Sequence, residues 1–336
     1  MLQEAIHKLV EKTDLTKQET YECVLEIMSG TASETLISAF LTALRMKGEV
    51  VPEIAGAALA MREKSTKIIT KHSHVIDTCG TGGDGLGTFN ISTASALVAA
   101  SAGAIVAKHG NRAISSKCGS ADVLNALGVN IDIPKEKVEI CLDEIGIGFL
   151  FAQMLHSAMK YAAPVRRELG MRTIFNVLGP LTNPAGAKRQ VLGVFRRGLT
   201  EILANVLLDL GTERALIVHG NGGMDEISTI GETRMSEIKD GKVTTFTFHH
   251  HDVGIPTAEL SAVGGGDAAE NAGIIRSILS GKKGAPKDIV VVNAGAAIYV
   301  SGKAASIVEG VHIANDMIES GTALRKLNDL VEFTNA

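Results

Sequence analysis

Residues 75–110 read VIDTCGTGGDGLGTFNISTASALVAASAGAIVAKHG, and this stretch decides the predicted fold. A short apolar run at 75–77 leads into a glycine-rich loop, an alanine-rich helix at 92–103 and a second apolar run at 104–107. Further candidate strands lie at 149–151, 191–194 and 215–218, and a candidate helix lies at 199–210. Strands that alternate with helices predict an α/β domain in which a mainly parallel sheet is flanked by helices.

The residues before this stretch show helical periodicity. Thr16 and Glu19 form a capping-box signal, which marks the start of a helix. The four predicted helices lie near residues 2–10, 16–30, 33–46 and 52–64. A mostly helical insertion between residues 151 and 190 is expected to rejoin them. We therefore predict a small all-helical domain in two sequence pieces, 1–70 and 151–188, beside an α/β domain formed by 71–150 and 189–336.

The end of the chain is harder to assign from its pattern. Residues 233–248 alternate in a strand-like way, and the remainder is predicted to form three helices. The run IVVV at 289–292 is equally compatible with a strand, because short apolar runs occur in both buried strands and buried helices.

The composition favours a globular protein that acts on small molecules. The chain of 336 residues has a formal net charge of −4, so no basic surplus predicts binding to nucleic acid or to an anionic membrane. Its four cysteines lie far apart and form no CxxC pair, which argues against a zinc site or a disulfide framework. The sequence shows no leader and no apolar run near the roughly 18 residues of a membrane span. We therefore expect a cytoplasmic location.

The loop at residues 77–93 has the composition of a phosphate-binding site. Its glycines allow positive φ and bring backbone N–H groups close to phosphate oxygens, and a helix starting near Asn90 or Ser92 would add its positive end. Glycines at 80–85 also spell G-x-G-x-x-G, but a dinucleotide site would favour a carboxylate after the next strand, where Lys108 stands. A glycine-rich turn without a ligand is the remaining alternative.

A second loop, KHGNRAISSKCGSAD at 108–122, follows the next predicted strand. In a parallel sheet both loops emerge at the carboxyl edge, where ligands bind. Lys108 offers a positive charge and Asn111 offers an amide. Hydroxyl groups come from Ser115, Ser116 and Ser120. Exposed surface is the simpler interpretation of any one of these residues, but the whole cluster favours an anion site.

Two adjacent acidic residues, Asp225 and Glu226, follow another predicted strand. Mg²⁺ typically binds one or two carboxylates and keeps water and substrate phosphate as its other ligands. The pair therefore predicts a magnesium site, with a solvated acidic turn as the alternative.

A fourth segment supplies a candidate partner for a carboxylate. On a helix that starts near Pro164, either Arg166 or Arg167 offers a guanidinium that can bind a carboxylate with two hydrogen bonds. Arginines on a helix surface are the alternative interpretation.

Three consecutive histidines at 249–251 raise the question of a metal site. A polar loop is the better interpretation, because no Cys, Glu or further His stands at ligand spacing.

Taken in order along the chain, these loops resemble those of the anthranilate phosphoribosyltransferase family. The resembling motifs are GTGGD (80–84), NIST (90–93), KHGNR with SS and GSAD (108–122), HSAMKYAAPVRRELGMRT (156–173), GPLTNP (179–184) and HGNGGMDEIS (219–228). The resemblance implies transfer of the phosphoribosyl group of 5-phosphoribosyl 1-pyrophosphate (PRPP) to the amino group of anthranilate in tryptophan biosynthesis. The products would be N-(5-phosphoribosyl)anthranilate and pyrophosphate. It also implies Mg²⁺ as cofactor with two ions per active site, a homodimer formed through the helical domain, and no fused glutamine amidotransferase.

The resemblance also implies roles for individual residues. Those expected to bind PRPP are Gly80, Gly82, Gly83, Asp84, Thr88, Asn90, Ile91, Ser92, Thr93, Lys108, His109, Gly110, Asn111, Arg112, Ala113, Ile114, Ser115, Ser116 and Ser120. Those expected to bind anthranilate are Gly80, Asn111 and Arg166, and those expected to hold magnesium are Ser92, Asp225 and Glu226. Lys108 would act electrostatically, and no residue would act as nucleophile or as acid or base. Cys118 stands where many relatives are expected to have a small polar residue such as serine.

The implied reaction agrees with these residue types. Displacing pyrophosphate from the anomeric carbon requires mainly positional and electrostatic stabilisation, and a neutral aryl amine attacks without a strong base. The sequence contains no GxSxG, HExxH or Walker motif. The first rival is a pyrimidine nucleoside phosphorylase, which is expected to be longer. The second, a non-catalytic relative that binds nucleic acid, is disfavoured by the acidic balance and the Asp225–Glu226 pair.

Overall fold

The computed structural model describes residues 1–113 and 117–336, and it begins with the four predicted helices. These are α1 (Leu2–Val10), α2 (Lys17–Met28), α3 (Glu34–Lys47) and α4 (Val51–Lys64). The predicted capping box is present: the Thr16 side chain accepts a hydrogen bond from the Glu19 N–H, and the Glu19 side chain accepts one from the Thr16 N–H. Each residue thereby satisfies a backbone group at the start of α2 that lacks a helical partner.

A seven-stranded sheet forms the centre of the larger domain. Its strands are β1 (Val75–Gly80), β2 (Ile105–Gly110), β3 (Ile147–Phe151), β4 (Arg189–Gly193), β5 (Arg214–Gly220), β6 (Thr233–Lys239) and β7 (Lys242–Phe248). They lie in the order β3-β2-β1-β4-β5-β6-β7. The first five are parallel, and β6 and β7 join as an antiparallel edge. The prediction of a mainly parallel sheet is therefore confirmed.

The remaining α-helices connect or cover these strands. They are α5 (Ile91–Ser101), α6 (Ser120–Ala126), α7 (Lys135–Glu144), α8 (Ala152–Leu155), α9 (Ala163–Leu169), α10 (Phe175–Leu178), α11 (Leu199–Asp209), α12 (Ala268–Leu279), α13 (Ala285–Ser301), α14 (Ile307–Glu319) and α15 (Thr322–Asn335). Among the helices within the described ranges, none has both the length and the apolar character needed to cross a bilayer.

The C-terminal region corrects one prediction. Four helices, α12 to α15, follow β7, where three were predicted, and the ambiguous run at 289–292 lies inside α13. Nearly every residue of α13 is buried, because it packs between α5 and α14 against the sheet. A helix enclosed on all sides is apolar throughout, so its sequence lacks the 3.6-residue periodicity that identifies surface helices.

The two faces of the sheet belong to different apolar cores. One core joins α5, α13 and the C-terminal helices, and the other joins α11 and one face of the sheet to the N-terminal helices. The second core also contains Ala162, Val165 and Phe175 from the insertion after β3. This packing is compatible with a helical domain in two sequence pieces, although the three predicted boundaries, after residues 70, 150 and 188, stay predictions.

Candidate functional site

The candidate site lies at the carboxyl edge of the parallel strands, where the loops after β1, β2 and β5 meet. Since β4 lies between β1 and β5, the loop after β5 must cross the end of β4 to reach the loop after β1. Two glycines allow this crossing: a Cβ atom at Gly193 would overlap the Asp225 backbone, and one at Gly80 would overlap the Asp225 carboxylate. The absence of these two side chains lets Asp225 lie against the glycine-rich loop.

The two adjacent acids accept hydrogen bonds from the glycine-rich loop. The Gly82 N–H donates to Asp225 Oδ2 at 2.8 Å, and the Ser92 N–H donates to Glu226 Oε1 at 3.0 Å. The carboxylates therefore link the loop after β5 to both ends of the loop that precedes α5. Positive φ angles, which favour glycine, occur at Gly82, Gly83, Gly85 and Gly87.

The acidic groups at this edge are electrostatically unfavourable without a cation. Burial raises the pKa of Asp225, and the neighbouring Asp84 raises it further. Burial also raises the pKa of Glu226, with the charge of Asp225 as the second cause. A bound cation would favour the ionised forms of these groups, so the residues fit a magnesium site. Within residues 1–113 and 117–336, no three His, Cys, Asp or Glu side chains form a metal cluster.

Lys108 reaches the same place from β2. Its buried Nζ donates to the Thr78 carbonyl at 2.6 Å and to Ser92 Oγ at 3.3 Å. Burial lowers the pKa of Lys108, and the charge of Asp77 opposes that shift. Asp77 is held by Asn183, whose Nδ2 donates to Asp77 Oδ2 at 2.8 Å. The structure thus places a cationic group directly beside the first loop.

The loop after β2 is held by the first turn of α6. The N–H groups of Ala113 and Gly119 both donate to Asp122 Oδ2 at 2.9 Å. The Asn111 N–H donates to Ser120 Oγ at 3.2 Å. These bonds fix both ends of the loop near the carboxyl edge. Ile114, Ser115 and Ser116, which were predicted to bind PRPP, lie outside the described residues.

Three residues at the start of this loop have distinct surroundings. A Cβ at Gly110 would overlap Ser120 Oγ, so only glycine allows the observed approach. Asn111 Oδ1 accepts the Arg112 N–H at 2.8 Å, and among the described residues the Asn111 Nδ2 group has no acceptor, so it could donate to a ligand. The exposed Arg112 side chain pairs with Asp122 at 3.3 Å. Arg112 is therefore engaged in a surface ion pair.

Asn90 joins the two loops to α12. Its Nδ2 donates to the Cys118 carbonyl at 3.2 Å, and its Oδ1 accepts from Asn271 Nδ2 at 3.0 Å. Cys118 Sγ lies 3.3 Å from the same Oδ1, where it makes the weaker contact expected of a thiol. The first loop is also tied down by a bridge between Thr88 and Gly264. Asn90 therefore acts in tertiary contacts, and its side chain does not cap α5.

The start of α5 differs from the expected open anion site. Ile91 is buried in the core, and the Ile91 and Thr93 N–H groups donate to Phe89 and Asn90 carbonyls, respectively. The Ser92 N–H donates to Glu226, as described above. The N–H groups of Ile91, Ser92 and Thr93 are therefore already paired and are not free to contact a phosphate directly. The helix contributes its dipole.

Arg166 lies on α9 and is partly buried, whereas Arg167 is exposed. The Arg166 guanidinium lies 5.4 Å from the centroid of the Phe175 ring. Burial lowers the pKa of Arg166, and in the described part of the chain it has no acidic partner and no side-chain hydrogen bond. A partly buried guanidinium of this kind would be stabilised by a carboxylate ligand, which favours Arg166 over Arg167.

Two buried imidazoles lie beside the second loop. The His109 and His156 ring centroids are 5.0 Å apart. Burial lowers the pKa of His109 to about 3, assisted by His156. Burial also lowers the pKa of His156 to about 4, with Lys67 as the second cause. Both rings are therefore neutral near pH 7.

Because both imidazoles are neutral in the folded protein, we expect the free energy of unfolding to fall in acid. The unfolded chain binds protons near pH 6.5, whereas the folded rings do so only near pH 3 and 4, so stability falls as the pH drops below about 6.5. By pH 5 each of the two rings should lower the free energy of unfolding by on the order of 2 kcal/mol, because it is protonated only in the unfolded chain. The free energy of unfolding can be measured in urea at pH 7.5 and at pH 5.0. Between these two pH values it should fall less for His156→Phe than for the parent. The exposed control His249→Phe should match the parent, and equal losses in all three proteins would contradict the expectation.

Arg172 is a residue that sequence reasoning missed. Its Nη2 donates to the Gly83 carbonyl, and its guanidinium lies 4.0 Å from the centroid of the Phe195 ring. It therefore connects the segment that carries Arg166 to the glycine-rich loop. Nothing in the local pattern distinguishes Arg172 from an ordinary surface arginine, since its partners are distant in sequence.

The histidines at 249–251 fit the interpretation as a polar loop. His250 Nδ1 lies 2.8 Å from the Ile255 carbonyl, and His251 Nε2 lies 3.1 Å from Thr257 Oγ1. Both contacts are local and stabilise the turn that follows β7.

Comparison with known proteins agrees with this geometry. Residues 3–65 match the helical bundle domain of a glycosyl transferase family, and residues 72–324 match its a/b domain. An anthranilate phosphoribosyltransferase of Acetivibrio thermocellus is 54% identical over 336 residues, covering 100% of this chain and 97% of the relative. The crystal structure of anthranilate phosphoribosyltransferase from Thermus thermophilus covers 99% of each chain at 44% identity, with a TM-score of 0.94. This chain belongs to the anthranilate phosphoribosyltransferase family.

Members of the anthranilate phosphoribosyltransferase family have also been solved with ligands. The protein from Saccharomyces cerevisiae in complex with PRPP and Mg superposes with a TM-score of 0.90 at 30% identity, covering 99% of this chain and 98% of that one. These matches cover both domains of the chain. Membership of the anthranilate phosphoribosyltransferase family therefore favours the predicted transferase over the pyrimidine nucleoside phosphorylase alternative.

Proposed function

We propose that this protein transfers the phosphoribosyl group of PRPP to the amino group of anthranilate in tryptophan biosynthesis. The products are N-(5-phosphoribosyl)anthranilate and pyrophosphate. One observation carries the proposal: Gly82, Lys108 and the Asp225–Glu226 pair meet at a single edge of the sheet through bonds to the same loop. This arrangement combines donors for a diphosphate with ligands for the cation that accompanies it.

The leaving diphosphate would be stabilised by groups already held in place. Ser92, Asp225 and Glu226 would hold Mg²⁺, which when bound neutralises charge on the pyrophosphate oxygens. Lys108 supplies a cation beside Ser92, and an anionic ligand would favour its charged form against the effect of burial. Because these groups are fixed before the reaction, little reorganisation is needed as charge develops.

The acceptor requires orientation more than chemical activation. An aryl amine is uncharged near pH 7, so its lone pair can attack the anomeric carbon without a general base. Arg166 would bind the anthranilate carboxylate, while Asn111 and the Gly80 backbone would position the ring. The absence of a competing acidic partner for Arg166 within the described residues supports this assignment.

Several broader features belong to the same proposal. We infer two Mg²⁺ ions in each active site, a homodimer formed through the helical domain, and action in the cytoplasm. The relative solved with PRPP and Mg supports the use of these small molecules.

The activity is tested by mixing the protein with PRPP, Mg²⁺ and anthranilate and following the loss of anthranilate fluorescence. A parallel reaction contains thymidine and phosphate. Turnover in the first mixture is expected. Turnover confined to the second would overturn the proposal in favour of a nucleoside phosphorylase.

Removing the Arg172 contact should weaken PRPP binding selectively. Arg172→Ala removes the hydrogen bond to the Gly83 carbonyl and the contact with the Phe195 ring, so the KM for PRPP should rise roughly fivefold, corresponding to about 1 kcal/mol. The KM for anthranilate should change little, and Arg172→Lys should restore part of the effect. Steady-state kinetics with each substrate varied provide the measurement, with the exposed Arg167→Ala as control. A fall in kcat alone would argue against this role.

A further inference from the structure

A cleft with a volume of about 260 Å³ separates the helical bundle from the α/β domain. Arg45 and Ile54 line it from the helical side, and Phe195 and Ile202 line it from the α/β side. At roughly 30 Å³ per water molecule, the cleft has room for a small organic molecule of about nine non-hydrogen atoms. Lys108, Asp225 and Arg166 are not among its lining residues, whereas Arg172 is, so the cleft adjoins the site described above without containing its lysine, its acidic pair or Arg166.

The charge of the cleft is strongly unbalanced. It is lined by three arginines, Arg45, Arg172 and Arg196, and by one acid, Glu49, which gives an excess of two positive charges. Arg45 Nη1 lies 4.0 Å from Glu49 Oε2, which is at the limit of an ion pair. Arg196 has no ion pair within residues 1–113 and 117–336. The cleft therefore favours an anionic group.

Five of the ten residues that line the cleft are apolar. Ile54, Val177 and Leu199 are almost fully buried, and they line the cleft together with the partly buried Ile202. Thr173 also lines it, and the buried Thr173 hydroxyl has no hydrogen-bond partner in the described part of the chain. A cleft that combines apolar side chains with polar groups suits a small organic molecule, whereas inorganic phosphate would leave the apolar side chains without a partner.

We propose that this cleft binds a small monocarboxylate with an apolar body. The carboxylate pairs with Arg45 and Arg196, and the apolar body packs against Ile54 and Leu199. Arg172 lines the same cleft and also donates to the Gly83 carbonyl. The Arg172 side chain would therefore connect the ligand to the glycine-rich loop.

The binding test uses the full-length protein and cyclohexanecarboxylate, with the neutral cyclohexanecarboxamide as matched ligand. Titration by calorimetry or by ligand-observed NMR should show that the carboxylate binds at least about fivefold more tightly than the amide, because only the carboxylate pairs with the arginines. Arg45→Gln and Arg196→Gln should each weaken carboxylate binding by a similar factor. Arg197→Gln should leave it unchanged, because Arg197 pairs with Glu232 at 3.2 Å and does not line the cleft.

Two results would overturn the proposal. The first is a failure of the arginines to contribute. This would appear as equal affinity for cyclohexanecarboxylate and cyclohexanecarboxamide, or as cyclohexanecarboxylate binding that neither Arg45→Gln nor Arg196→Gln weakens. The second is complete displacement of cyclohexanecarboxylate by saturating anthranilate together with loss of binding in Arg166→Ala, which would place the probe at the acceptor site. These measurements need no turnover, so they are independent of the proposed transferase activity.

Discussion

The double substitution Asp225→Asn and Glu226→Gln will lower Mg²⁺-dependent turnover of PRPP by at least about 100-fold. Both residues keep their size and an oxygen that can accept the Gly82 and Ser92 N–H bonds, but both lose the negative charge that holds a cation. The loss should appear in kcat/KM for PRPP and should not be recovered at millimolar Mg²⁺. Initial rates over a range of Mg²⁺ concentrations provide the measurement.

The same variant gives an independent stability readout. Because the pKa values of both acids are raised, the metal-free folded protein loses stability as the pH rises from about 4 through those values. At pH 8 without metal, the double variant should therefore melt at a higher temperature than the parent, and Mg²⁺ with pyrophosphate should stabilise only the parent. Glu232→Gln, an exposed acid paired with Arg197, is the control. Retained Mg²⁺ dependence with unaltered melting would refute the metal assignment.

Arg166→Ala will lower kcat/KM for anthranilate by about 10- to 100-fold. A hydrogen bond between charged groups in a partly buried place is worth about 1.5–3 kcal/mol, and 1.4 kcal/mol corresponds to a factor of ten. The KM for PRPP should stay nearly constant, because Arg166 has no hydrogen bond to either phosphate loop within the described residues. Steady-state kinetics with each substrate varied in turn separate the two effects.

The matched control for Arg166 is its neighbour. Arg167→Ala removes an exposed arginine from the same short helix and should leave both KM values unchanged. Arg166→Lys should recover only part of the activity, because an ammonium group cannot reproduce the bidentate geometry of a guanidinium. Equal effects of Arg166→Ala and Arg167→Ala would indicate damage to α9, and the carboxylate role would have to be withdrawn.

The regions that sequence reasoning described well are those in which the pattern is local. The capping box at Thr16, the apolar strands and the glycine-rich loop are each formed by residues close together along the chain. The IVVV run in α13 was ambiguous because a helix buried on all sides has no amphipathic signal. The pairing of the Ser92 N–H with Glu226 was not foreseen, because the two residues lie more than a hundred positions apart in the sequence.

The sequence by itself determined the alternation of strands and helices, the composition of the phosphate loops and the resemblance to a family. Only the tertiary structure decided which of two neighbouring arginines is partly buried, and that Arg172 holds Gly83. It also decided that Asp225 reaches the first loop, across the end of β4, where Gly193 and Gly80 leave space. Local patterns report propensity and periodicity, whereas these contacts depend on strand order, which brings distant segments together.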